Sequence, residues 1–167
     1  NSQSQASGIG TFFAPEWRDK LGGQFVDCLA RIHKREIASA GLTAFEIPEP
    51  GTDAAIRCLN MWERVWEEDS DEDIPLMRYA AAWLRKNAPY CTQPVILHCD
   101  YRVGNFLFTE HDARISAILD WEGGRIGDHH QDVAWAAAHA YGHYAEDGKT
   151  FLVGGFMTES EFFDSYQ

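Results

Sequence analysis

Basic residues and long apolar runs are both scarce in this chain of 167 residues. There are 14 lysines and arginines against 26 aspartates and glutamates, which gives a formal net charge of −12. Because nucleic-acid-binding surfaces are usually basic, this balance argues against nucleic acid as a partner. No run of 18 apolar residues is present, so the sequence predicts no membrane-spanning helix and no membrane partner.

Motifs built from cysteine are also missing. Cys28, Cys58, Cys91 and Cys99 form no C-x-x-C pair, so the usual zinc-site and redox spacings are not present. No secretory signal is visible, and we expect free thiols in a cytoplasmic protein. The chain begins without Met and stops soon after its last predicted helix begins. We therefore expect a piece of a longer protein, with residues 1–14 forming a loop or linker.

What the chain does have is apolar periodicity. Hydrophobic residues make up 45% and aromatic residues 13%, which is typical of a globular domain. Apolar side chains three and four positions apart predict a first helix from Pro15 and a second after Thr52 or Asp53. A third helix is predicted from Pro75 to about Lys86, because proline suits a first helical turn.

The pattern changes to short strands after residue 93. The stretches PVILH, FLF and RISAILDW are predicted strands, and the last two form a hairpin around TEHDA. EGGRIGD is predicted to be a loop, HHQDVAWAAAHAYGHY a helix, and the residues after Gly154 and Gly155 a partial helix. The fold class is therefore α+β, mainly helical, with a small strand group.

Polar side chains are concentrated at the ends of these strands. Asp100 and Asn105 lie between the first two strands, and Asp120 follows the third. Carboxylate and amide oxygens suit Mg²⁺, so Asn105 and Asp120 are candidate metal ligands. Asp100 could orient and deprotonate a hydroxyl group. Arg102 supplies a fixed positive charge that could face a phosphoryl group.

The spacing His98-x-Asp100-x-Arg102-x-x-Asn105, followed by Asp120, resembles the catalytic loop and metal-binding Asp of protein-kinase-like enzymes. HCDYRVGNFLF and ISAILDWEGGRIGDHHQDVAW are similar to the aminoglycoside phosphotransferase and choline kinase branch, the phosphotransferase enzyme family. The residues of these two stretches are most similar to those of the subgroup found fused to acyl-CoA dehydrogenases. The best-matching stretch, residues 95–135, would contain the catalytic and metal-binding loops.

The resemblance implies that residues 1–167 are part of a kinase-like C-terminal lobe whose hairpin carries the catalytic and metal loops. It implies transfer of the ATP γ-phosphoryl group to a small-molecule hydroxyl, with Mg²⁺. Asp100 would be the catalytic base. Arg102 would be catalytic and would contact ATP near the γ-phosphate. Asn105 and Asp120 would hold Mg²⁺ and, with it, ATP.

The same resemblance assigns supporting roles and shows two departures. His98 is expected to brace the loop, and Asp128 and Asp132 to cap the next helix or brace the catalytic loop. Cys99 stands where the family usually has glycine, and His129 where it usually has proline. No glycine-rich loop with a following lysine precedes the matching stretch. We therefore expect the N-terminal lobe to be absent, the fragment to be inactive or weak, and oligomers to form through surfaces that this lobe would cover.

Alternative functions stay open. A non-catalytic pseudokinase or binding module would explain the missing nucleotide cradle, although the intact acidic residues argue against it. Residues 128–130 read Asp-His-His, which could indicate a phosphoesterase or a metal site with His111, Asp132 and His139, but a three-residue match is weak. The acidic composition suits an aminoglycoside or choline as the acceptor, whereas the subgroup resemblance suits a hydroxyacyl compound.

Overall fold

The structure, a computed structural model, describes residues 13–167. The predicted loop over residues 1–14 falls mainly outside this range. Phe13 is described and belongs to the core, where it is 5% exposed. Its ring stacks on Phe156 at a centroid distance of 4.7 Å and on Phe106 at 6.3 Å. Phe13 therefore packs as part of the domain.

Three helices form the first half of the described chain, as the sequence predicts. They are α1 (Pro15–His33), α2 (Asp53–Asp69) and α3 (Pro75–Lys86). Proline stands at the start of α1 and α3, where its missing N–H costs no helical hydrogen bond. α2 extends to Asp69, and the acidic stretch after it is irregular.

Two antiparallel strand pairs follow. The predicted hairpin is confirmed: β2 (Phe106–Thr109) pairs with β3 (Arg114–Ile118). β1 (Val95–Leu97) pairs instead with β4 (Arg125–Gly127). The prediction of a loop over EGGRIGD is wrong for its last part, because these residues pair with a strand 28 to 32 positions earlier in the chain. This pairing encloses the hairpin and residues 98–105, the segment between β1 and β2 that we call the polar loop.

The chain after β4 is less helical than predicted. α4 (His130–Ala136) ends well before the predicted residue 144. A short 3-10 turn follows, and β5 (His143–Tyr144) pairs with β6 (Phe151–Leu152). The last helix, α5 (Glu159–Tyr166), begins with a capping box formed by Thr158 and Glu161.

The core lies between α1, the β2–β3 hairpin, α4 and α5. α1 contacts β1, β3 and α5, and supplies Leu21, Phe25 and Leu29, all at most 1% exposed. Tyr101 from the polar loop is equally buried, and its hydroxyl donates to the Phe25 carbonyl at 2.6 Å. Because its neighbours are anchored in this core, the polar loop has a fixed position.

α2 and α3 form a separate helical pair that contacts β4. No residue of α3 is buried, and a groove of about 950 Å³ opens between the two helices. Within the described residues, no helix is long and apolar enough to cross a membrane. The observed mixture of helices and small antiparallel sheets agrees with the predicted α+β class.

Candidate active site

The carboxylate of Asp100 is the centre of the polar loop between β1 and β2. Its Oδ1 accepts a hydrogen bond from Trp135 Nε1 at 2.9 Å. Arg102 Nε lies 3.1 Å from both carboxylate oxygens, and Asn105 Nδ2 donates to Oδ2 at 2.6 Å. One charged donor and two neutral donors together hold the carboxylate in one orientation. The Asp100 side chain is 29% exposed, so it remains accessible from outside.

Arg102 lies beside this carboxylate and keeps part of its guanidinium free. Only its Nε bonds to Asp100, and its two terminal nitrogens donate to no residue in the described range. Its guanidinium carbon lies 5.8 Å from the centre of the Tyr141 ring, within the range of a cation–π contact. Burial first, and then the negative charge of Asp100, raise the pKa of Tyr141. Tyr141 is therefore an uncharged side chain next to the ion pair of Asp100 and Arg102.

The oxygen of the Asn105 amide has no hydrogen-bond donor among residues 13–167. Its nitrogen donates twice to Asp100, once to the carboxylate and once to the backbone carbonyl at 2.9 Å. The amide is thereby held with its nitrogen towards Asp100, although the residue is only 6% exposed. An oriented, unpaired oxygen in a polar loop suits a hard cation.

Asp120 follows β3, and the residue before it, Leu119, makes two hydrogen bonds to the polar loop. The N–H of Leu119 donates to the Asn105 carbonyl at 2.7 Å, and the Leu119 carbonyl pairs with His98 Nε2 at 2.8 Å. Asp120 itself has φ +67°, a conformation that aspartate tolerates better than most residues. Its carboxylate is exposed and has no partner among the described residues.

The structure therefore joins three of the four predicted site residues directly. Asp100, Arg102 and Asn105 form one hydrogen-bonded group. Asp120 makes no bond to them, but its neighbour Leu119 does. The metal role of Asn105 and Asp120 stays a prediction, as do the catalytic role of Asp100 and the phosphate contact of Arg102.

Asp132 braces the loop from beneath, as the sequence predicts. It is fully buried, and its two carboxylate oxygens accept from the backbone N–H groups of His98 and Cys99, both at 2.7 Å. His33 Nε2, at the end of α1, lies 3.1 Å from the same carboxylate. His33 Nδ1 in turn bonds to the Tyr166 hydroxyl at 2.6 Å. α1, α4 and α5 are thus tied to the polar loop through one buried carboxylate.

Two further residues with expected supporting roles lie close by. Asp128 stands before His129, the N-cap residue of α4, which makes no side-chain capping bond, and its Oδ1 accepts from the N–H of His130 at 3.0 Å. The His98 side chain is fully buried and packs against Trp121 at a ring distance of 4.5 Å. Neither contact involves a reacting group.

Cys99, where the resemblance predicts glycine, has a backbone conformation that favours glycine. Its φ is +68°, a left-handed conformation that a side chain makes costly. Burial, the largest cause, raises the pKa of its thiol to about 12. The thiol is therefore protonated and a poor nucleophile at neutral pH.

Two contributors were not found from the sequence. Trp135 lies in a stretch that the sequence predicts only to be helical, yet its indole donates to Asp100. His33 lies at the end of α1, and nothing in the sequence names it as a partner of Asp132. The groove between α2 and α3 is lined by other residues, including Trp62, Trp66 and Asp128. It therefore does not coincide with the Asp100 group.

Comparison with known proteins decides the family. Residues 9–158 match the sequence model of the Phosphotransferase enzyme family. The chain belongs to this family. It is 31% identical over 122 residues to acyl-CoA dehydrogenase family member 11 of Pongo abelii, which covers 72% of this chain and 15% of that protein. The predicted link to phosphotransferase domains of acyl-CoA dehydrogenase relatives is thus confirmed.

Solved structures of phosphotransferases share the fold. A putative aminoglycoside phosphotransferase of Ralstonia eutropha superposes with a TM-score of 0.69 at 23% identity, over 92% of this chain and 48% of that chain. The streptomycin-ATP-APH(2")-IIa ternary complex superposes with a TM-score of 0.57 at 16% identity, over 93% and 50%. The chain of this phosphotransferase family member therefore spans about half the length of these solved relatives.

Proposed function

We propose that the chain is the C-terminal lobe of an ATP-dependent kinase that phosphorylates the hydroxyl group of a small molecule. The observation that carries this proposal is the Asp100 carboxylate, which Arg102, Asn105 and Trp135 hold in one orientation. Membership of the phosphotransferase family supports the reaction class.

Asp100 is the residue that would orient the acceptor hydroxyl. The hydroxyl oxygen attacks the γ-phosphorus of ATP, the bond from that phosphorus to the β–γ bridging oxygen breaks, and the hydroxyl proton passes to the Asp100 carboxylate. Reactions of this type depend mainly on positioning and charge neutralisation. The bonds from Trp135, Arg102 and Asn105 fix the direction of the carboxylate and so supply the positioning.

Asn105 and Asp120 are the residues that would hold Mg²⁺. Both offer oxygen, and neither oxygen is engaged by a donor in the described range. The hydrogen bond between Leu119 and Asn105 keeps the two residues on neighbouring segments. Bound Mg²⁺ would neutralise charge on the phosphates of ATP.

Arg102 is the cation that would face the transferring group. Its unengaged terminal nitrogens can bind phosphate oxygens while Nε stays on Asp100. The rest of the nucleotide site would come from an N-terminal lobe in the longer protein, since the chain spans about half of the solved relatives. We expect that protein to act in the cytoplasm.

The test is transfer of labelled γ-phosphate from Mg-ATP to a panel of hydroxyl compounds by the longest natural protein that contains this chain. Asp100→Asn and Asp120→Asn should each lower kcat at least about 100-fold, the lower end for a lost acid–base or charge-stabilising group. Asp164→Asn, at an exposed position on α5, is the matched control and should keep the rate. Transfer that survives both site substitutions would refute the proposal. Nucleotide binding without any transfer would favour the pseudokinase alternative.

A further inference from the structure

A second group of possible metal ligands lies at the start of α4, away from Asp100. Donor atoms of Asp128, His129 and His130 all lie within 4.8 Å of one another. Nδ1 of His130 is 2.7 Å from Asp128 Oδ1, and Nδ1 of His129 is 3.6 Å from the same oxygen. The histidines at 111 and 139, and Asp132, which the sequence suggested as further ligands, are not part of this cluster.

The His129 ring is held in place by its neighbours. It stacks on the Tyr166 ring at a centroid distance of 6.1 Å, the tilted His130 ring lies 4.0 Å away, and the His33 ring lies 6.2 Å away. Imidazole is the commonest side-chain ligand for transition metals, and the ring of His129 already has a fixed position.

Asp128 is available as a carboxylate. Its Oδ1 accepts the hydrogen bond from the N–H of His130, whereas its Oδ2 has no donor among the described residues. One oxygen can therefore bind a cation while the other keeps this bond.

We propose that Asp128, His129 and His130 form a binding site for a first-row transition-metal ion such as Zn²⁺. Two imidazoles and one carboxylate suit these ions, whereas Mg²⁺ prefers an all-oxygen shell. Metal–ligand bonds of about 2.0–2.2 Å place neighbouring ligand atoms roughly 3–3.5 Å apart. Because the donor atoms of the three side chains already lie within 4.8 Å of one another, small side-chain rotations bring all three to one ion. The His130 side chain is 78% exposed, so the remaining coordination positions face solvent.

The site is a property of this chain rather than of the family pattern. His129 replaces the proline that the resemblance predicts, and proline offers no ligand atom. The ion would join three consecutive residues at the first turn of α4. Asp132, two residues further on, holds the N–H groups of His98 and Cys99. Metal binding should therefore stabilise the segment beneath the polar loop without touching Asp100.

The test is calorimetric titration of the untagged protein with ZnCl₂ in the presence of excess Mg²⁺. One equivalent of Zn²⁺ should bind and raise Tm. His129→Pro restores the family residue at φ −55°, a value that proline accepts, so it removes a ligand with little risk to folding. His130→Asn removes the second imidazole. Each variant should weaken Zn²⁺ binding at least tenfold.

The matched control is His111→Ala. His111 is 81% exposed and lies 3.6 Å from Asp112, so it is a comparable His–Asp pair elsewhere on the surface. This variant should bind Zn²⁺ like the unmodified protein. The proposal is overturned if the unmodified protein shows no saturable binding, if His129→Pro binds equally well, or if His111→Ala loses as much affinity as His130→Asn. Circular dichroism of each variant checks that α4 is intact.

Discussion

The carboxylate of Asp132 accepts a hydrogen bond from the backbone N–H of His98 at 2.7 Å, although 34 residues separate the two. The bond lies at the end of β1, where the chain turns into the polar loop. A buried carboxylate that satisfies otherwise unpaired N–H groups removes a desolvation penalty from the loop. The position of Asp100 therefore depends on the buried side chain of Asp132, which makes no direct contact with the Asp100 carboxylate among the hydrogen bonds of the described residues.

Asp132→Asn tests this dependence. The asparagine has the same shape, but its NH₂ group would face one of the two N–H donors, His98 or Cys99. We expect the free energy of unfolding to fall by about 2–4 kcal/mol, because a buried charged acceptor is lost. Urea denaturation measures this change. Asp164→Asn, on the exposed face of α5, should stay within about 0.5 kcal/mol. A loss below about 1 kcal/mol for Asp132→Asn would show that the loop holds itself.

Cys99 carries a backbone cost that glycine would remove. Comparing Cys99→Gly with Cys99→Ala separates this cost from the lost sulfur contacts, because both variants lack the thiol. We expect the glycine variant to be more stable than the alanine variant by about 1 kcal/mol, as φ is +68° at this position. Thermal unfolding of the pair measures the difference. Equal stability would mean that the left-handed conformation relaxes in the variants.

The same thiol makes stability depend on alkaline pH. Burial raises its pKa from 9.0 to about 12 in the folded protein. Below pH 9 the thiol is protonated in both the folded and unfolded states. Between pH 9 and about 12 only the unfolded chain loses the proton, so the stabilising contribution of Cys99 is lost as pH rises. The stability advantage of the unmodified protein over Cys99→Ala should therefore shrink above pH 9, measured by urea denaturation at several pH values. An advantage that stays constant up to pH 11 would contradict the shift.

Strong local signals explain which parts of the fold could be predicted. Short stretches of sequence are enough to predict the proline-initiated helices α1 and α3 and the β2–β3 hairpin. β4 has three residues beside glycines, and its partner β1 lies about 30 positions away. A strand that depends on such a distant partner leaves little local trace. The alanine-rich stretch after Trp135 likewise predicts a helix from its local pattern. In the structure, His143 and Tyr144 instead form a strand that pairs with β6.

The candidate site divides in the same way. The spacing of Asp100, Arg102, Asn105 and Asp120 is local enough to be recognised, and three of the four prove to be in contact. The donor Trp135 lies on another element, and a tryptophan among alanines is typical of a core. The contact to Asp100 arises because α4 packs against the polar loop. A local sequence pattern carries no information about this packing.

The central claim is that Asn105 and Asp120 hold one divalent cation beside Asp100. Mn²⁺ has the ligand preferences of Mg²⁺ and broadens the NMR signals of nearby nuclei. Titrating the ¹⁵N-labelled protein with MnCl₂ should broaden the signals of Asn105, Leu119 and Asp120 first, and Asp120→Asn should abolish this effect. Broadening that begins elsewhere and leaves Asn105 and Asp120 sharp would contradict the account.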